Sequence, residues 1–235
     1  MFNNALDHSD GSIIRVKIKK TATATEMMIS DNGIGIFKKI QNALGLLDPR
    51  HSVLELAKGK LTTDPKRHTG EGIFFTSRVF DSFDILSEGV FFTHKFGSEE
   101  DWILENREMR GTFVFMKLNN HSARKLNKIF DQYTSGDQDE IPGFTKTVVP
   151  VKLARYGDDN LISRSQAKRL LARVELFKTV VLNFSDVELV GQGFADEVFR
   201  VFARQHPEIE LVYINANSAV KRMIERTRQE ELSTP

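Results

Sequence analysis

Four strand-like runs between Phe83 and Leu118 leave no room for a helix between them, and this spacing constrains the fold most. The runs are Phe83–Leu86, Val90–Phe96, Trp102–Asn106 and Thr112–Leu118, separated by Gly89, Gly97 and Gly111. Parallel neighbours need a crossover of a dozen or more residues, so connections this short predict an antiparallel sheet.

The chain before these runs mixes both periods. Residues 1–9 read as a helix ended by Asp10-Gly11, and Ser12 to Lys20 as a strand. In that strand Ile14, Val16 and Ile18 alternate with Arg15, Lys17 and Lys19, the pattern of a half-buried strand with a solvated basic face. Thr21 to Thr25 is a loop, and Glu26 to Ser30 a second strand that delivers Asp31-Asn32-Gly33-Ile34-Gly35 to its end. Phe37 to Leu47 has helical spacing. Asp48 caps a further helix with Pro49 in its first turn, running to about Lys58. Gly59 to Arg67 is polar and turn-rich, with the character of a mobile lid, and Ile73 to Phe80 reads as a helix. Helices followed by an antiparallel sheet make an α+β fold, a two-layer α/β sandwich.

The pattern changes after an amphipathic connecting helix, Ser122 to Tyr133, and a linker over Ser135–Gly143. Strands at Thr147–Leu153, Thr179–Phe184 and Glu210–Ile214 alternate with helices at Ser163–Leu176, Gly193–Gln205 and Ser218–Thr227. That alternation argues a small α/β domain with parallel pairing. The expected division is residues 1–120, a connection over 121–145, and residues 146–235.

Composition removes several function classes. The formal charge is +1, and neither side of residue 145 is basic enough to argue nucleic-acid binding. The absence of cysteine excludes disulfides, thiol catalysis and thiolate metal sites. No apolar run approaches the roughly 18 residues of a membrane span, and no secretory leader opens the chain, so a cytoplasmic protein with no membrane partner is expected. Met1 to His8 reads as the middle of a helix without a cap, so the chain is expected to be truncated at its amino end.

Three pieces carry candidate chemistry: Asn4-Ala5-Leu6-Asp7-His8, Asp31-Asn32-Gly33-Ile34-Gly35, and His68-Thr69-Gly70-Glu71-Gly72-Ile73-Phe74. Each alone has an ordinary reading. Asp31-Asn32-Gly33 is a common turn, Gly70 and Gly72 suit any flexible loop, and His8 suits a partly buried structural role. In this order, however, the three resemble the nucleotide site of the GHKL (Bergerat-fold) ATPases, which include gyrase-type topoisomerases, histidine kinases, MutL-type repair proteins and anti-sigma-factor kinases.

The resemblance implies ATP and Mg²⁺ as ligands. Asp31 would accept from the adenine amine, and Gly33 and Gly35 would let the backbone approach the base. Gly70 and Gly72 would present a helix amino end to phosphates, flanked by Thr69 and Glu71. Asn4 would help hold Mg²⁺, a cation served by oxygen ligands, with Asp7 and His8 on the same helix. Lys60 and Thr62, like Lys58, Lys66 and Arg67, would reach phosphates on lid closure or remain solvated lid charges. Hydrolysing members place a glutamate four residues before the helix asparagine. Here that position precedes Met1, so the sequence offers no catalytic base and no catalytic residue is assigned.

The run Val180 to Glu197 resembles the centre of a STAS domain, and is especially similar to the STAS-like domain found behind GHKL modules in bacterial proteins. Partner-switching STAS proteins carry a phosphorylated serine at the start of the helix after the central strand. Gln192 or Gly193 falls there, so a phosphoserine switch is not expected. Ser185 is expected to close a local turn, and Asp196 and Glu197 to favour the helix dipole.

The leading expectation is an ATP-binding regulatory protein whose STAS-like domain signals to a protein partner, with a homodimer among the assemblies allowed. The alternatives are a GHKL ATPase or protein kinase, or a transcriptional regulator whose DNA-binding helix-turn-helix lies upstream. Histidine autokinase activity is disfavoured, because no helix with a phosphoacceptor histidine precedes the module.

Overall fold

A computed structural model of the chain describes residues 1–62, 69–96, 101–105, 110–134, 143–155 and 160–232, with the backbone alone at 101–105 and 230–232. The fold is α+β and forms two compact units, Met1–Phe130 and Asp131–Pro235.

The first unit runs α1 (Phe2–His8), β1 (Ile14–Lys20), β2 (Ala24–Asp31), α2 (Ile36–Leu44), α3 (Pro49–Lys58), α4 (Gly72–Val79), β3 (Ser82–Ser87), β4 (Val90–Lys95), β5 (Asp101–Glu105), β6 (Thr112–Asn119) and α5, Leu126–Asp131, at its end. Its six-stranded sheet is antiparallel throughout, in the order β1-β2-β6-β3-β4-β5. The strands of the Phe83–Leu118 run are antiparallel as expected, but β6 lies between β2 and β3 rather than beside β5. The pairing of β2 with β6 is the long-range step, setting Ser30 beside Phe113 and Ile29 beside Val114. Helices pack on one face of this sheet, where Phe37, Leu54, Phe74, Phe83, Ile85 and Phe92 are fully buried. Each such side chain contributes about 1.5–3 kcal/mol by leaving water.

Local chemistry sets the helix ends. Asp48 caps α3 by accepting from the Arg50 amide at 2.8 Å, and Pro49 stands in its first turn. The expected helix to Leu47 stops instead at Leu44, because Gly45 takes the left-handed conformation (φ 62°) and Leu46 N–H bonds back to the Gln41 carbonyl. Leu47 is left 90% exposed. The expected helix over Ser122–Tyr133 shortens to α5. Arg124 is drawn away to the Val79 carbonyl and the Asp81 carboxylate, with its guanidinium 3.7 Å from the centre of the Phe96 ring.

The largest departure is β1. Its strand character is as expected, but its burial is not: Val16 is 52% and Ile18 67% exposed. The expected lid over Gly59–Arg67 is described only to Thr62, so Lys66, Arg67 and His68 lie outside the described residues, as does the linker apart from Gly143.

The second unit contains β7 (Lys146–Pro150), α6 (Arg164–Leu171), β8 (Thr179–Asn183), α7 (Gln192–Asp196), a π-helical stretch Glu197–Phe202, α8 (Ala203–Gln205), β9 (Glu210–Ile214) and α9 (Ser218–Leu232). Its three strands are parallel in the order β7-β8-β9, and every residue of β8 is buried. The first strand stops at Pro150 rather than Leu153, since proline lacks the N–H that would extend the ladder, and a 3₁₀ turn follows at Val151–Ala154. The helix expected over Ser163–Leu176 stops at Leu171. Ser163 and Gln166 form a capping box at its start, and Arg173 turns left-handed (φ 63°) after its end. Among the described residues no helix is long and apolar enough to cross a membrane.

Candidate functional site

A cavity of about 380 Å³ opens in the first unit, and all three sequence pieces reach it. The helix α1 supplies Asn4, Ala5 and His8; β2 supplies Ile29 and Asp31; α2 supplies Ile36, Lys39 and Ile40. Thr62, Thr69, Gly70, Gly72 and Phe74 come from the other side, and Thr112 and Val114 from β6. Of the expected residues, Asn4, His8, Asp31, Gly35, Thr62, Thr69, Gly70 and Gly72 therefore line one space. Asp7 is exposed on α1 and lies off the lining, as do Gly33, Lys60 and Glu71.

Asp31 is the most constrained polar group of the wall. Its Oδ1 accepts from the Gly33 amide at 2.9 Å and the Thr112 amide at 3.2 Å. Its Oδ2 accepts from no described protein group. The carboxylate is thus fixed in orientation by two backbone donors, with one oxygen left for a ligand donor. Thr112, which sequence reading missed, also accepts from the Ile36 amide through Oγ1 at 3.0 Å. This one residue ties β6 to the end of β2 and the start of α2. Nothing in the sequence marked it, because its role depends on the β2–β6 pairing.

The glycines divide by what surrounds them. A Cβ on Gly33 would lie 1.9 Å from the Ser9 carbonyl oxygen, so the close approach there is by the end of α1 rather than by a base. The Ile34 amide donates to that same oxygen at 3.0 Å. Gly35 has φ 84°, and a Cβ on it would meet Ser87 Oγ at 2.5 Å. Gly70 (φ 75°) crosses the Leu61 backbone, where a Cβ would come within 2.6 Å of the Leu61 amide nitrogen. Gly72 alone of the expected four has nothing within 4 Å of its Cβ position. It stands at the amino end of α4, whose first N–H groups have no acceptor within the helix.

Cations frame the site. Lys39, also missed, donates to the His8 carbonyl at 2.7 Å and pairs with Asp10 at 3.0 Å, holding the carboxyl end of α1. Lys60 sits in a left-handed backbone conformation (φ 51°). Burial lowers its ammonium pKa from the ordinary value, and the charge of Glu71 acts in the opposite direction. For a metal, no group of three or more His, Cys, Asp or Glu side chains is present among the described residues. A hard cation served by oxygen ligands would find the Asn4 side chain on the cavity wall.

In the second unit Ser185 closes a local turn, its amide and Oγ both donating to Asn183 Oδ1. Gln192 and Gly193 occupy the start of the helix that follows. Asp196 does more than favour a helix dipole. It is 9% exposed, bonds both Arg164 and Arg200, and its carboxyl is held below the usual range. The Arg200 hydrogen bond is the largest cause of that shift, with the charges of Arg200 and Arg164 adding to it and burial opposing it. Glu197 is buried beside it, 3.8 Å from Lys168.

Comparison with protein families matches residues 166–221 to a STAS-like domain of unknown function (DUF4325). A STAS-like domain is present in the second unit. The match covers most of α6, all of β8, α7, α8 and β9 and the start of α9, and leaves out β7, the first strand of the parallel sheet. A search among curated proteins finds no match.

Proposed function

We propose that the first unit binds ATP with Mg²⁺, as a GHKL-type module, and that the STAS-like domain passes the bound state to a protein partner. The observation that carries this reading is the Asp31 carboxylate: one oxygen locked by two amides, the other turned to no donor among the described residues, beside the cavity walls Ile29, Ile40 and Val114. An adenine ring needs apolar faces and one acceptor for its exocyclic amine. Gly72, at the amino end of α4, suits phosphate oxygens. The presence of a STAS-like domain is consistent with a regulatory role.

Asp31 is also the only carboxylate among the described lining residues, and the hold of the Gly33 and Thr112 amides on its Oδ1 suits it to binding the adenine amine.

Isothermal calorimetry with Asp31→Asn tests the reading. The amide would put an NH₂ or a single carbonyl oxygen where two acceptor oxygens now act. Loss of one charge-assisted bond is worth roughly 1–3 kcal/mol, or about a 5- to 150-fold weaker Kd for ATP. Unchanged affinity in a variant that keeps its Tm would remove the adenine assignment.

A further inference from the structure

We propose that β1 is an acceptor edge for a partner protein, which adds to it an extended segment that is apolar on one face and acidic on the other. This proposal is independent of the nucleotide reading.

β1 is the outermost strand of the six-stranded sheet and pairs along its whole length with β2, so its other edge carries backbone donors and acceptors with no strand beside them among the described residues. Sheet edges of this kind are normally shortened, bulged, interrupted by proline or guarded by charge, above all lysine. Here all of Ile14–Lys20 is in regular register, without a bulge or a proline, and the guard is the row of cations on one face, which repels basic strands but not acidic ones.

The two faces of β1 differ in chemistry. Val16 stands opposite Ile29 and Ile18 opposite Met27, on the face that carries the cavity wall and the helices. Ile29 is buried there, whereas Val16 and Ile18 remain more than half exposed, so the apolar layer ends one strand too early. Arg15, Lys17 and Lys19 lie on the opposite face, all exposed and in no ion pair with a described residue.

These cations select the occupant. A second copy pairing through its own β1 would set arginine and lysine against arginine and lysine, and like charges on adjacent strands are destabilising. A strand with Glu or Asp at alternate positions turns the same row into cross-strand pairs. Its intervening valine or isoleucine side chains would then cover Val16 and Ile18. Main-chain bonds would supply affinity and the alternating side chains specificity, the general logic of strand addition.

The test uses the full chain and two short fluorescent peptides, one alternating glutamate with valine and one alternating lysine with valine. Anisotropy should show binding of the glutamate peptide, weakened as salt rises, and at least about tenfold weaker binding of the lysine peptide. Lys17→Glu with Lys19→Glu, both on an exposed face, should invert that preference without altering Tm. Hydrogen exchange should show amides of β1 becoming protected on binding.

Equal affinity for both peptides would overturn the proposal, as would protection elsewhere than β1. Edge amides already protected in the free protein would also overturn it. In a dimer by sedimentation a second copy would be the occupant, and in a monomer another part of the same chain.

Discussion

Gly33 and Gly72 should respond oppositely to the same methyl group. At Gly33 the new Cβ would lie 1.9 Å from the Ser9 carbonyl oxygen, against an ordinary contact of 3.4 Å or more, so the end of α1 must retreat by about 1.5 Å. That movement breaks the Ile34–Ser9 bond of 3.0 Å and shifts the helix carrying Asn4 and His8. Overpacking costs about 1–3 kcal/mol and the lost bond about 1 kcal/mol more. At roughly 2–4 °C per kcal/mol, Tm of Gly33→Ala should fall by roughly 4–16 °C.

At Gly72 nothing lies within 4 Å, and alanine is the better residue in a first helical turn. Gly72→Ala should hold or raise Tm, by up to about 1 kcal/mol in stability. In the proposed complex its methyl would occupy the space through which phosphate oxygens reach the α4 amides, so Kd for ATP should rise at least about tenfold. Differential scanning fluorimetry and calorimetry on both variants make the comparison. A Gly72→Ala protein that binds ATP like the parent would refute the phosphate assignment, and a Gly33→Ala protein of parental Tm would refute the packing argument.

Phosphate release from ATP by this chain should be negligible, since Asp31 is the one carboxylate among the described lining residues; turnover abolished by His8→Ala would show that the imidazole supplies the base. In the second unit the depressed Asp196 pKa implies stability present above the unfolded carboxylate value of about 3.9 and lost as pH falls through the lower folded value. Acid unfolding followed by circular dichroism should therefore be shallower for Asp196→Asn below about pH 4, and an unchanged profile would show that the two arginines contribute nothing to the folded state.

The fold was legible wherever a short-range pattern decides the outcome. The closely spaced strands from Phe83 to Leu118 could only pair antiparallel, and Asp48-Pro49 could only open a helix. Alternation in β1 identified the strand and its two faces but not its burial, which depends on what lies over Val16 and Ile18. The shortened helices have equally local causes that compete with periodicity. Gly45 offers a left-handed stop, Pro150 removes a donor, and Arg124 gains a carbonyl, a carboxylate and an aromatic face outside the helix.

The site was legible as a set of segments and not as a set of roles. Asp31 stood out because a strand end followed by a tight turn presents a carboxylate. Thr112 and Lys39 did not, because each acts by joining elements distant in sequence: β6 to β2 and α2, and α2 to the end of α1. The glycines carry the same lesson in a sharper form. A Gly-x-Gly pattern is compatible with a ligand close to the backbone and with protein close to the backbone, and sequence does not distinguish the two. Gly33 presses against Ser9, which locks the segments that bear Asn4 and Asp31 to one another, and Gly70 presses against Leu61, which ties the Gly72 segment to the chain just after α3. Gly72 faces open space. The motif therefore serves packing first, since the pieces of chain must touch before a cavity exists, and the phosphate role proposed for Gly72 depends on that packing.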